Sequence, residues 1–528
     1  MTRGARICMV VLAMITLQGN AALQESLPSW HWAYANIEAL QARGGFRQLH
    51  QMNRPYTRGD IARVLIGMRR PEGSVKNAFS PAEKRILRRL LEEFEPEIRL
   101  LNAGAEQAER LEAGVSMAAD VHGDEGASGR FDGVYRSRLA VPLSANAVLV
   151  NAMTLDQYAL RDSAYIGKKW RGLAFYTEQA YAAARFGRVQ LKFGRDFLRW
   201  GAGKSGTLLF SDVCRPMDQM SGAVIVGPFR YSFLTAFLDA WPLSPGLADS
   251  LGASTARRFL AGHRVDARFF SGALQIGLTE ASVYGGVNRE LDWVFLNPLM
   301  SYHAEQYNQE VRANTLGTVD VLAYPGRNMK LYGSLLIDDI QVEKTGPGDL
   351  EPNEIGWLAG FEWSDPFAAP GMSLYGEYSR VTNRTYKTAY PWETAVFRNR
   401  PLGHPEGNDF DLLTLGCTGW LSESVRLEVF WKSIRKGEGG LFTPFDTPWM
   451  AYTVEEGYDE PFPTGTVERR NGWGASIRFL PGRRFFLEAA FQSQAGTNAG
   501  HVKGIRDDTV SWRIGAWGLY DFVWPFGS

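Results

Sequence analysis

The chain has 528 residues, room for several domains or for one very large sheet with an appendage. Its 57 Lys and Arg balance 57 Asp and Glu, so there is no basic footprint to offset phosphates, which argues against nucleic acid as a partner. With 16 Trp and 56 Gly it is rich in rings and turns, yet it holds no long apolar run beyond its first residues.

In chain order, the first element is an export signal over residues 1–22. Arg3 and Arg6 give a positive start, Ile7 to Leu17 an apolar stretch, and the small residues from Gly19 to Ala22 a cleavage site. The apolar stretch is too short to span a bilayer stably. Cys8 lies well ahead of the cut and is a poor lipidation site, which leaves Cys214 and Cys417 in the exported chain. These two can pair once but cannot build a disulfide framework, and two small buried thiols is the simpler expectation. The 7 histidines are scattered without the short spacings of a metal-ligand set, so neither a metal nor a cofactor is expected.

Residues 27–110 read as a small helical head. A first helix covers about Trp32 to Arg43 and stops at Gly44 and Gly45. A second begins at Thr57 in "TRGD" and carries Ile61, Val64, Leu65 and Met68 at helical spacing. A third opens at "SPAE", where Ser80 caps, Pro81 takes the first helical position and Glu83 closes a capping box; Ile86, Leu87, Leu90, Leu91 and Phe94 follow. The run from Trp30 to Leu65 resembles one surface-layer-homology repeat, with Trp32, Ala33, Ile37, Leu40, Gly44, Pro55, Thr57 and Arg58 in place. Such repeats attach envelope proteins to cell-wall polymers, while a helical bundle packed by the same residues explains the pattern equally well.

Beyond about Val115, through to Ser528, the hydrophobic period changes from helical to two. In "WGASIRFLPGRRFFLEAAFQS", Trp473, Ala475, Ile477 and Phe479 alternate with small or polar residues. Pro481 and Gly482 turn the chain, and Phe485, Leu487, Ala489 and Phe491 alternate again, which is a hairpin. The same period recurs in Val189, Leu191 and Phe193, in Val425, Leu427, Val429 and Trp431, and in Val265, Ala267 and Phe269. A soluble sandwich alternates too. Small residues on both faces, rings at strand ends and an aromatic final strand, "SWRIGAWGLYDF", favour an all-β transmembrane barrel. Hydrocarbon offers backbone groups no partner, so such a sheet has to close. At about 20 to 25 residues for each strand with its share of loop, residues 115–528 make about 16 to 20 antiparallel strands, an even number, around a lumen. The Gly- and Pro-rich "EKTGPGDLEPNEIG" and the segment from Lys436 to Gly472 suit extracellular loops, and the short turn at Gly187 suits the periplasmic side.

Within this region "RWGAGKSGTLLFS", Arg199 to Ser211, imitates a nucleotide-binding loop. Gly203, Lys204 and Ser205 fit the end of the phosphate-cradling pattern, but Leu198 stands where its first glycine belongs, and Gly206 to Phe210 show no helical stripe. Nucleotide binding is not expected.

The blocks "GRDFLRWGAGKSGTLLFSDVCRPMD", "GLTEASVYGG" followed by "LNPLM", "LYGSLLIDDI" and "RPLGHPEGNDFD", with the helical head, resemble the capsule-assembly Wzi family. Members are outer-membrane barrels with a small N-terminal α-helical bundle. The resemblance implies about 18 antiparallel strands, a place in the cell outer membrane, and a lectin role that holds capsular or other surface polysaccharide on the cell. It also reads "WGAGKSG" as a strand-and-turn block. Outer-membrane lipid and, through the head, cell-wall polymer are further expected partners.

Sugars are held by rings against their C–H faces and by forked polar groups on their hydroxyls, with arginine added for acidic polymers. Arg195, Asp196, Arg199, Trp200 and Arg215 place such groups in one short stretch. Tyr302, His303, Gln306, Tyr307, Asp338 and Asp339 complete the candidate carbohydrate-binding set. The bland alternative for the charged members is a network bracing the lumen. Asp338 and Asp339 alternate across a strand, so that pair alone should not chelate Ca²⁺. Glu280, Ser301 and His303 can be drawn as catalytic groups, but no nucleophile elbow or triad is legible, and no catalytic residue is assigned. The expectation is a non-enzymatic lectin, against a porin-like channel for sugars or exported polymer; conductance separates the two.

Overall fold

The structure, a computed structural model, describes residues 22–69, 79–103, 110–124, 129–162, 165–309, 311–326, 328–343, 345–482 and 484–525. The export signal therefore lies outside the described residues, except for Ala22.

Alternation builds an 18-stranded antiparallel barrel. Its strands are β1 (Arg110–Asp124), β2 (Arg130–Ser144), β3 (Ala147–Asp156), β4 (Leu173–Phe186), β5 (Val189–Asp196) and β6 (Met217–Val226). They continue through β7 (Phe229–Phe237), β8 (Thr255–Phe269), β9 (Leu274–Gly286), β10 (Asn314–Ala323), β11 (Met329–Asp339) and β12 (Glu354–Ser364). The last are β13 (Met372–Val381), β14 (Phe410–Ser422), β15 (Val425–Lys436), β16 (Glu468–Phe479), β17 (Phe485–Thr497) and β18 (Arg506–Pro525). Each strand pairs with its chain neighbours, and β18 closes the sheet on β1 with Val115 opposite Tyr520 and Val121 opposite Ile514. The first strand begins at Arg110, ahead of the point at which the alternation becomes legible.

Alternate side chains face outward as the period requires. Trp473, Ile477, Leu487, Phe491, Val429, Trp431, Val265 and Ile514 are all exposed on the outer wall. Short turns join β2 to β3, β4 to β5 and every later pair of that parity, while long loops close the opposite end. At the short-turn end Phe186, Phe229, Phe269, Phe270, Phe367, Phe479 and Phe485 form an exposed ring of aromatics, the interfacial girdle of a membrane barrel. No helix among the described residues is long and apolar enough to cross a membrane.

Ahead of the barrel stand four helices, α1 (Ala33–Gln41), α2 (Arg58–Arg69), α3 (Pro81–Glu93) and α4 (Glu95–Ala103). Ser80 Oγ accepts from Glu83 N while the Glu83 carboxylate accepts from Ser80 N, so the capping box forms as its sequence requires. Thr57 Oγ1 accepts from Asp60 N at 3.1 Å, and Gly44 takes a left-handed φ of 75° just past α1. Ile37, Leu40, Ile61, Leu65, Ile86, Leu90, Phe94 and Ile98 pack into one cluster.

These helices sit under the short turns. Arg43 pairs with Asp365, Arg85 with Glu423 at 2.9 Å, and Arg89 donates to Leu480 O. Between α1 and α2 the chain climbs into the barrel. Asn53 and Arg54 pair with Trp200 and Arg199, and Asn53 Nδ2 donates to Ser232 Oγ and Asp266 on inward faces of β7 and β8. From the other end two loops fold down: residues 197–216 bury Trp200, Leu208, Leu209 and Phe210, and residues 382–409 bury Tyr386, Val396, Phe397 and Leu402. All join inward-facing Leu260, Val283, Leu316, Leu336, Leu358 and Val381 in one apolar core. Arg258 on β8 fixes the second loop by donating to the carbonyls of Trp392, Thr394 and Val396 at 2.7, 2.5 and 2.9 Å. The upper lumen is thus packed like a protein interior rather than lined as a channel.

Candidate functional site

The sequence-predicted sugar residues divide among four places. Arg195 and Asp196 are neighbours on β5 and face opposite ways. Arg195 continues the outward ladder in which Leu191 opposes Gly222 and Phe193 opposes Met220; it stands opposite Asp218 and donates to it through Nε and Nη2 at 2.8 and 2.6 Å. This bidentate pair ends the apolar belt at the long-loop rim. Asp196 is fully buried and accepts from Gln179 Nε2 and Phe197 N at 2.8 Å, with Lys192 paired to it. Its place is bracing the lumen, not sugar contact, because its carboxylate is already saturated by internal donors.

Arg199 and Trp200 are also internal. Arg199 pairs with Asp212 at 2.9 Å and donates to Gly203 O at 2.6 Å. Trp200 meets Phe210 edge-on, 5.4 Å between ring centroids, in the apolar core. The nucleotide-like element beside them does bind an anion, but one of the chain's own. Lys204 N and Ser205 N donate to the two oxygens of Glu377 on β13 at 2.5 and 2.7 Å, with Ser205 Oγ joining them. Gly203 sits at φ 136°, where a Cβ would strike Gly206 O, which is why this tight turn requires glycine.

Tyr302, His303, Gln306 and Tyr307 lie outside the barrel wall. The loop 287–313 folds over β8 and β9, stacking Phe295 on Tyr284 at 4.2 Å and burying Tyr302 against Phe259 and Ala261. Glu280 caps the helix Tyr302–Gln309 by accepting from Tyr302 N and His303 N at 3.0 and 2.8 Å, with Ser301 Oγ at 3.4 Å. Glu280 thereby has a structural role, and Gln306 spends its amide on Ala313 O. Tyr307 is exposed and Tyr302 is not. The burial of Tyr302 removes it from any sugar surface.

Asp338 and Asp339 close β11 at a register irregularity between Ile337 and Asp339. Asp338 accepts from Tyr386 N at 2.5 Å and so holds the 382–409 loop; Asp339 accepts from Gln341 Nε2 at 2.8 Å. Among the described residues, no group of three or more His, Cys, Asp or Glu stands close enough to hold a metal ion. Cys214 and Cys417 are separate thiols, the first buried in the plug, where its Sγ donates to Pro401 O, and the second in the wall strand β14.

The remaining cluster is at the long-loop mouth. Arg215 lies 4.7 Å over the ring of Tyr176 and 5.7 Å from that of Tyr165, and donates to Asp162 at 3.0 Å. Arg400 donates to the other oxygen of Asp162 at 2.7 Å. Arg398, whose backbone N–H donates to Asp239, keeps a buried Nε with no hydrogen-bond partner. Burial, then the nearby charges of Arg195 and Arg215, hold the Arg398 guanidinium below its usual range. Arg195, Arg215, Arg398 and Arg400 therefore share the rim with Asp162, Asp218 and Asp239, while Trp170 stands exposed on the 157–172 loop with Arg171 over its ring. Of these rim residues the sequence-predicted set holds Arg195 and Arg215 but not Arg398, Arg400 and Asp162, which arrive from distant loops; "FRNRP" is the local signal of the two arginines.

These features define an outer-membrane β-barrel whose upper lumen is filled from both ends and whose long loops gather at one end. The chain belongs to the capsule assembly protein Wzi family, whose model matches residues 96–508. In three dimensions it is similar to Wzi of Escherichia coli, described as an outer-membrane protein involved in group 1 capsule assembly and a carbohydrate-binding β-barrel. The two share 16% identity and a TM-score of 0.59 over 97% of this chain and 100% of that one. Two Pseudomonas aeruginosa proteins are more distant: OccD3 is 8% identical with a TM-score of 0.47 over 79% of this chain and 93% of that one, and OpdK is 10% identical with a TM-score of 0.45 over 78% and 99%. No curated protein matches the chain in sequence.

Proposed function

We propose that the protein binds polysaccharide at its long-loop face and retains a capsule or similar glycan on the cell, acting by binding rather than by catalysis. The observation that carries this reading is the packed upper lumen: Trp200, Leu208, Phe210 and Tyr386 fill the space a conducting pore would need. What faces outward instead is a rim of four arginines, three carboxylates and exposed rings, chemistry suited to an acidic sugar chain. Membership of the capsule-assembly family supports the same assignment, as does carbohydrate binding by the Escherichia coli relative. In this reading residues 27–110 form a periplasmic head beneath the barrel of 115–528, whose belt meets lipid.

The decisive experiment is deletion in the native host followed by microscopy of the surface polysaccharide. Loss of the retained coat with normal polymer output is expected; an unchanged coat rejects the proposal. In purified protein, Arg215→Ala with Arg400→Ala should weaken binding of the host glycan by at least about tenfold, since each removes a charged hydrogen-bond donor.

A further inference from the structure

A well-formed cavity lies far from the long-loop rim. It is a cleft of about 650 Å³ between the helical head and the short-turn end of the wall, within the roughly 300–1,000 Å³ range of small-ligand sites. Arg47 and Arg63 face it from the head, and Arg185, Arg230 and Arg268 from the inward faces of β4, β7 and β8. Gln48, Arg63, Gly67 and Ser271 are exposed at its edge, so it opens to the aqueous side beneath the barrel.

Its charge is not balanced. Among the described residues Asp60 is the one carboxylate in the lining, and it is shared by Arg63 at 2.7 Å and Arg185 at 3.8 Å. The hydrogen bonds of the other three arginines to described residues all go to neutral oxygens, with Arg47 also lying 4.7 Å over the ring of Tyr324. Arg230 donates to Ser232 Oγ and Gln190 Oε1, Arg268 to the carbonyls of Gln48 and Gly227, and Arg47 to Gly326 O. Asp266, behind Arg230, is already taken by Arg264 and Asn53. Arg47 Nε, Arg268 Nε and both ring nitrogens of His50 are buried without a hydrogen-bond partner. The local field is visible in His50, which burial, then Arg268, Arg230 and Arg264, push down to about 3. Buried donors and unneutralised cations of this kind are costly unless something anionic answers them. In a chain whose total charge is zero, such an excess is a local arrangement, not a reflection of composition.

We propose that this cleft is a second binding site, open on the periplasmic side, for an acidic oligosaccharide: a short sugar chain bearing carboxylates or phosphates on successive units. A single small ion cannot reach cations supplied by three strands and two parts of the head, whereas a chain with repeated anionic groups can meet several at once. The hydroxyls between them find donors and acceptors in Gln48, Asn53 and His50. The inference does not depend on the long-loop reading, because the two sites are at opposite ends of the barrel.

The test is calorimetric titration of the full-length protein in detergent with tetragalacturonate, with neutral maltotetraose, and with inorganic phosphate. Tetragalacturonate should bind and weaken as salt rises through the screening range, maltotetraose should not, and phosphate should bind at least about tenfold more weakly. Arg230→Gln and Arg268→Gln should each reduce tetragalacturonate affinity about tenfold. Asp60→Asn, which removes the competing carboxylate and leaves the cations in place, should raise it. Lys503→Gln, an exposed charge on the loop between β17 and β18, should change nothing. Equal affinity for phosphate and tetragalacturonate, binding of the neutral sugar, an unchanged affinity in folded Arg variants, or no tightening in Asp60→Asn each overturns the proposal.

Discussion

Glu377 shows at the scale of a residue why a motif needs its surroundings. The backbone donors of "GKS" are arranged for an anion, and β13 supplies one from inside the barrel. Glu377→Ala leaves two inward N–H groups without a partner. It should destabilise the 197–216 plug by about 2–3 kcal/mol, read as faster proteolysis of that loop with the wall intact. Glu393 gives a pH-dependent case. Burial raises its carboxyl to about 7, against a smaller opposing effect of the Thr388 hydrogen bond and of Arg312 and Arg289. The folded state therefore holds this proton more tightly than the unfolded chain does. Its contribution is full below the ordinary carboxylate range near 4.5 and is lost as pH rises through about 7. Hydrogen exchange in residues 382–409 should be slower at pH 5 than at pH 8, and Glu393→Gln should flatten that difference; a profile identical in the two proteins would refute the assignment.

At the scale of elements, the two inward loops act as one plug held by ring packing and by Arg258. Trp200→Ala removes the Phe210 contact and opens a cavity beside Leu260, at a cost of about 3–5 kcal/mol. Planar-bilayer recordings should be silent for the wild type and show intermittent conductance for this variant; silence in a folded variant would mean that other contacts keep the lumen shut. The helices of the head were readable because their signals are local: the Ser80–Glu83 box and the Thr57 cap require only neighbours in sequence. Ser80→Ala should cost about 1 kcal/mol, measured as a lower Tm of the head's unfolding step. The loop over β8 and β9 was not readable. Its helix is fixed by Glu280 on β9, the strand that leads into the loop, a contact that no period or composition reveals.

For the molecule as a whole, chain closure follows from solvent: a sheet with an oily outer face has to pair β18 with β1 or leave an edge in lipid. Purified barrel should accordingly stay folded in mild detergent and migrate differently on gels before and after boiling. The sequence alone determined this much, because outward alternation, aromatic strand ends and loop parity are all written within stretches of ten to twenty residues. It also determined the arginine-rich character of the "GRDFLRWGAGKSG" block, though not its destination. The tertiary structure decided which charges are spent internally, as in Asp196 and Arg199, and which remain at the rim, as in Arg195 and Arg215. It also decided that the upper lumen is filled and that five arginines gather around Asp60 at the short-turn end. The reason is physical: alternation assigns each side chain to a face, but what occupies the space inside a closed sheet depends on segments hundreds of residues apart in sequence meeting there.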